Sequence, residues 1–168
     1  MSGRPEFSHL SPEDAARMVD VGSKPVTSRR AVAEAWVSVG AEVAAQLRDR
    51  GAVAKGNVLE TARLAGIAAA KRTDELIPLC HPVPIDLIDL TVALEDDRVH
   101  LVAVAAAEAK TGVEMEAMTA VAVAALTVYD MVKSVARDVA IGPVRLLEKS
   151  GGRSGHYKRA EEASDADR

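Results

Sequence analysis

Apolar positions recur every second residue in three stretches of the chain. Between Val32 and Val39, one side carries Val32, Glu34, Trp36 and Ser38, and the other carries Ala33, Ala35, Val37 and Val39. That pattern predicts a strand with one apolar face. Ile88, Leu90, Val92 and Leu94 form a second run, and Val99, Leu101 and Ala103 a third. Glu95-Asp96-Asp97 lies between these two, which predicts a β-hairpin. Helical stretches are read at Ala41 to Arg50, halted by Gly51, and at Val58 to Lys71, with Asn57 as N-cap. A long Ala-rich helix is expected over Val113 to Val135, entered from Thr111-Gly112. Gly142-Pro143 then breaks the chain before a last strand at Val144 to Leu147. Strands and helices do not alternate strictly, so the expected class is α+β, an antiparallel sheet with helices packed on one face.

The long helix is apolar over much of its circumference, since Val121, Val123, Leu126, Val128 and Met131 point in several directions. Such a helix is buried on more than one side. In a chain of 168 residues, part of that burial is expected against another copy, which makes a homo-oligomer the expectation. The ends lack a period. Residues 1–14 and 156–168 are expected to be mobile or disordered, leaving 15–155 as a single domain.

Composition narrows the class. Hydrophobic residues make up 48% and charged residues 27%, as in a soluble globular protein. Aromatics are only 2%, so the core has to be built from Ala, Val, Leu and Ile. Cys80 is the single cysteine, which excludes an intrachain disulfide and suits a reducing compartment. Met1 to Leu10 holds no apolar signal-like core, and no unbroken apolar run has membrane-span length. The expected location is the cytoplasm, with no membrane partner. A net charge of −4 argues against a nucleic-acid partner, but a local Lys/Arg cluster can still take an anionic small molecule.

Several segments combine reactive groups with unusual backbone. Asp130 and Lys133 stand at i and i+3 on one helix face, a spacing that on its own usually marks a solvated ion pair. Glu116 precedes Asp130 by fourteen residues on the same helix. At 1.5 Å per residue the two are roughly 21 Å apart, with an angular offset of about 40°. They therefore contact opposite ends of a long ligand or belong to a site shared between two chains; the all-round apolar helix favours the second. His81, between Cys80 and Pro82, suits phosphate contact or proton shuttling, or else simply bonds a neighbouring carbonyl. Cys80 with the scattered His9, His100 and His156 is a poor ligand set, so no metal site is expected. Gly151, Gly152 and Gly155, flanked by Lys149 and Arg153, read either as a backbone nest for phosphate or as a basic tail. Arg29, Lys71 and Arg72 are further phosphate candidates. No P-loop pattern is present.

The runs KRTDELIPLCHPVPI, TGVEMEAMTAVAVAALTVYDMVK and KSGGRSG resemble the cyclic pyranopterin monophosphate synthases, the molybdenum cofactor biosynthesis protein C family, from Met18 to about Gly155. The resemblance implies a ferredoxin-like fold and a hexamer built as a trimer of dimers. It implies a lyase that converts 3′,8-cyclo-7,8-dihydroguanosine 5′-triphosphate to cyclic pyranopterin monophosphate, in molybdopterin biosynthesis, with loss of pyrophosphate. It places catalytic roles on Asp130, Lys55 and Lys133, and substrate contacts on Leu79, Cys80, His81, Met115 and Glu116. Read from the residues themselves, Glu114 orients a neighbour or binds the purine edge, or else is a plain exposed glutamate at a helix start, and Arg29 and Lys149 are candidates to meet the triphosphate. No resident cofactor is implied, and a need for Mg²⁺ with the triphosphate stays open. The chain departs from the family pattern at Asn57, where an aspartate is expected, and at Val132, where some relatives have cysteine. A lone lysine is a poor base near neutrality, but a second ammonium nearby lowers its pKa. Lys55 brought against Lys133, with Asp130 opposing that effect, would give an acid and a base.

Overall fold

The computed structural model of the chain describes residues 15–50, 57–153 and 155–160. The elements run β1 (Thr27–Ser38), α1 (Gly40–Arg50), α2 (Val58–Ala70), α3 (Thr73–Leu76), β2 (Leu87–Glu95), β3 (Arg98–Ala109), α4 (Glu114–Val132), β4 (Ala140–Ser150) and β5 (Tyr157–Lys158). The strands form one sheet in the order β2-β3-β1-β4-β5, with every neighbouring pair antiparallel. β3 lies between β1 and β2, and β1 between β3 and β4. These two interleaved strand–helix–strand units are the β-α-β-β-α-β arrangement of ferredoxin-like folds.

Register follows the alternation. Ala31, Ala33, Ala35 and Val37 sit opposite Ala105, Ala103, Leu101 and Val99, and Leu90 and Val92 continue the same rows from β2. These residues, Val92 apart, are buried, and with α2 and α4 they form the core. Because the facing side chains are so small, helix and sheet approach closely. A Cβ at Gly66 of α2 would meet the Ala120 carbonyl oxygen at 2.6 Å and Leu90 Cδ2. On the opposite face of the sheet the polar positions pair with each other. Glu34 accepts from Arg145 Nε at 2.7 Å and meets His100 Nε2 at 2.9 Å, while the His100 ring stacks on Trp36 with centroids 3.8 Å apart.

Caps and turns follow the local sequence. Asn57 Oδ1 accepts from the Glu60 N–H at 3.0 Å, capping α2. Glu95 pairs with Arg98 across the hairpin, and Asp96 takes a φ of 52°, a conformation that aspartate tolerates.

Other limits differ from the sequence reading. β1 starts at Thr27 rather than Val32, because Thr27 to Arg30 pair with β3 although they carry no apolar face. β4 begins at Ala140, and the Gly142-Pro143 step is absorbed where the β1–β4 register shifts between Ala35 and Val37. Such a bulge accommodates a proline, which has no N–H to give the ladder. Of the tail expected to be disordered from residue 156, the described part, residues 156–160, contains β5, with Tyr157 and Lys158 paired to Lys149 and Glu148, while residues 161–168, like the N-terminal 1–14, lie outside the described residues. α4 ends at Val132, and Lys133 caps it with its N–H on the Tyr129 carbonyl. Among the described residues, α4 alone is long and apolar enough to cross a bilayer, and its Ala/Val face is buried in this fold, as in a core helix.

Candidate active site

Two adjoining cavities open at the N-terminal end of α4. The first, about 400 Å³, is lined by Val19, Val21, Leu79, Cys80, His81, Val83, Met115 and Glu116. The second, about 430 Å³, is lined by Pro25, Thr27, Arg29, Lys110, Lys149 and the Ser150 to Arg153 turn. Lys24, Thr111, Gly112 and Glu114 line both and form the wall between them. The substrate-binding candidates Leu79, Cys80, His81, Glu114, Met115 and Glu116 thus meet in the first cavity, and Arg29 and Lys149 in the second. The loop after α3 brings the Leu79-Cys80-His81 edge to the first turn of α4, with the Cys80 N–H donating to the Ile77 carbonyl at 3.0 Å.

The cavities differ in charge. The first holds the Glu116 carboxyl, only 4% exposed. Burial, reinforced by Glu114 and Asp74, pushes its pKa up to about 7, against a smaller lowering by its own N–H. Its Oε2 has no hydrogen-bond partner among the described residues. Burial likewise raises the Cys80 thiol, and Glu116 and Asp74 add to it, which disfavours its nucleophilic thiolate form. The second cavity gathers Lys24, Arg29, Lys110, Lys149 and Arg153 around the one carboxylate of Glu114. Arg29 donates to the carbonyls of Ala109 and Lys110, and Lys110 Nζ to that of Gly22 at 2.7 Å. Gly151 and Gly152 have φ of 100° and 69°, where a side chain is strained, and a Cβ on Gly152 would overlap the Arg29 guanidinium. The glycines let the β4 end close over Arg29.

Asp130 and Lys133 lie at the other end of α4, with 59% and 50% of their side chains exposed. Lys133 Nζ donates to Asp130 Oδ1 at 2.5 Å, and that bond holds the lysine above its usual pKa. They line neither cavity of the same chain. Lys55 falls outside the described residues. Lys71 and Arg72 are exposed and also line neither cavity. Lys24, Lys110 and Thr27 line the cavities without having been singled out from the sequence. Lys110 directly precedes the Thr111-Gly112 step, which was the one available signal; Lys24 and Thr27 sit in unpatterned chain. Among the described residues no group of three or more His, Cys, Asp or Glu side chains is arranged to hold a metal ion.

Fold and cleft together define a ferredoxin-like α+β protein whose site joins a buried carboxyl to a cationic anion pocket, an arrangement for a polar, phosphate-bearing small molecule. Comparison with known families agrees. The MoaC family model matches residues 18–152, and the chain belongs to the MoaC family. It is 53% identical over 160 residues to cyclic pyranopterin monophosphate synthase 1 of Mycobacterium tuberculosis, covering 95% of this chain and 92% of that protein. It is 48% identical over 157 residues to the cyclic pyranopterin monophosphate synthase of Brevibacillus brevis, covering 93% and 98%. The enzyme of that name from Peptoclostridium acidaminophilum is 46% identical over 154 residues, covering 92% and 98%.

Proposed function

We propose that this chain is a cyclic pyranopterin monophosphate synthase, a lyase of molybdenum cofactor biosynthesis. It converts 3′,8-cyclo-7,8-dihydroguanosine 5′-triphosphate to cyclic pyranopterin monophosphate and releases pyrophosphate. The observation that carries this reading, beside the names of its relatives, is the pair of adjoining cavities that share the Glu114 wall, one holding the buried Glu116 carboxyl and the other lined by lysines and arginines. The Glu116 end suits the polar edge of the purine or pterin, and the lysine- and arginine-lined end suits the triphosphate. Mg²⁺, where needed, arrives with that triphosphate.

The proton transfers fall to Lys133 and Lys55, with Asp130 orienting Lys133. Because Glu116 and Asp130 stand roughly 21 Å apart along α4, one chain supplies the cavities and a neighbour supplies the Asp130–Lys133 pair. The working unit is then a homo-oligomer, a hexamer built from dimers, in the cytoplasm. Its apposed lysines crowd two ammonium groups, and each lowers the pKa of the other.

The test is to incubate the purified protein with the cyclic nucleotide and quantify pterin and pyrophosphate together. Stoichiometric appearance of both supports the reading; binding without pyrophosphate release makes the chain a nucleotide-binding regulator. Mixing Glu116→Gln protein with Lys133→Ala protein should restore part of the activity each lacks. Absence of rescue after subunit exchange would remove the shared site.

A further inference from the structure

The wall between the cavities contains an ion pair. Glu114 Oε1 accepts from Lys149 Nζ at 2.8 Å, with the two side chains 26% and 32% exposed. Among the described residues, Lys149 is the lining cation of the second cavity that an acidic side chain holds. The Glu114 carboxylate folds back over Gly112, and a Cβ at residue 112 would overlap all three of its carboxyl atoms. The carboxylate thus lies in the first turn of α4, beside a lysine and against bare backbone. Those are the surroundings that a phosphate group seeks.

We propose that Glu114 is a built-in competitor for the anion pocket. Its carboxylate occupies Lys149 in the free enzyme, gives that lysine up as a phosphate group enters, and reclaims it as pyrophosphate leaves. The proposal rests on the reading of the second cavity as the phosphate end. Its physical content is an opposition of signs. A residue that only contacts substrate weakens anion binding when neutralised, whereas a competitor strengthens it. The pair is partly solvated, so the gain is modest. Retention of a tightly held polyanionic product in a pocket with five cations would otherwise be long, and an internal carboxylate shortens it.

The experiment is calorimetric titration of the full chain with inorganic pyrophosphate, using wild type, Glu114→Gln, Lys149→Gln and the double variant. Glu114→Gln should bind about three- to fivefold tighter, the scale of one broken partly exposed pair. Lys149→Gln should bind more weakly, and Glu114→Gln should add less than about twofold on that background. Equal or weaker binding by Glu114→Gln overturns the proposal. So does a gain of the same size with Lys149 absent, which would reflect general charge alone, or no pyrophosphate binding by any variant. Glu114→Ala carries the same expected sign if the glutamine variant does not fold. Wild-type turnover, measured in parallel, tests the enzymatic reading separately. Turnover without a Glu114 effect sinks only the competitor, and the expected binding pattern without turnover sinks only the synthase.

Discussion

At the N-terminal end of α4, the Glu116 carboxyl is 4% exposed and its pKa is pushed up to about 7. At the C-terminal end, the Asp130 and Lys133 side chains are 59% and 50% exposed and pair with each other, which keeps the lysine protonated. One helix therefore presents a group poised near neutrality at one end and a fixed ion pair at the other. The difference comes from what packs on each end. Glu116 is buried where the Leu79 to His81 loop and the first turn of α4 line the first cavity, whereas in a single chain the Asp130 and Lys133 side chains are exposed. Burial, reinforced by Glu114 and Asp74, moves the carboxyl. The lysine needs a second surface before it can exchange protons near pH 7.

That contrast can be broken in several ways. The largest effect is expected at the exposed end. Lys133→Ala should lower turnover by about 10²- to 10⁴-fold, the range for general acid–base catalysis, in a pyrophosphate-release assay. The same variant should melt close to wild type, because an exposed pair contributes little to folding. A full-strength Lys133→Ala enzyme would reduce that end to a solvated surface.

The buried end is sharpened by pH. Folded Glu116 keeps its proton up to about pH 7, while the unfolded side chain ionises near 4.5. Between those values folding takes up a proton, so stability falls as pH rises through the window and stays lowered above it. The full cost is about 3 kcal/mol. Glu116→Gln should match wild type in denaturant titrations near pH 4 and exceed it by about that amount at pH 8. Equal stability at both pH values would mean that the carboxyl ionises as freely as an exposed one.

A third effect tests the packing that joins the two ends. Gly66→Ala places a methyl against the Ala120 carbonyl and Leu90. It should cost about 1–3 kcal/mol in urea unfolding, despite alanine's better helix propensity. Smallest of all, Asp130→Asn should change stability by no more than about 0.5 kcal/mol while impairing turnover, which separates its work on Lys133 from any role in folding.

What the sequence revealed followed from how local each signal was. The hairpin, the α2 cap at Asn57 and the apolar rows of β1 to β3 were legible because alternation and capping act within a few residues. The first half of β1 was not, since Ser28, Arg29 and Arg30 carry no apolar face and are held there by pairing with Glu108 to Ala106 across the sheet. β4 hid behind Gly142-Pro143, which reads as a break unless the bulge opposite Trp36 is known. α3 is four residues long and has no period to show. In the site, the motif runs marked Glu114, Glu116 and Cys80, but Lys24 and Lys110 reach the cavities from distant chain that only the tertiary fold brings close. The Glu114–Lys149 contact spans thirty-five positions, and no spacing rule anticipates it.

The methyl-lined seam between α2, α4 and the sheet has a mechanical consequence. Alanine and glycine have no rotamers to adjust, so a displacement there is not absorbed by repacking. A side chain larger than the one present at Gly66 or Ala120 therefore has to move backbone, which ties the spacing of α2 and α4 to the smallness of these residues.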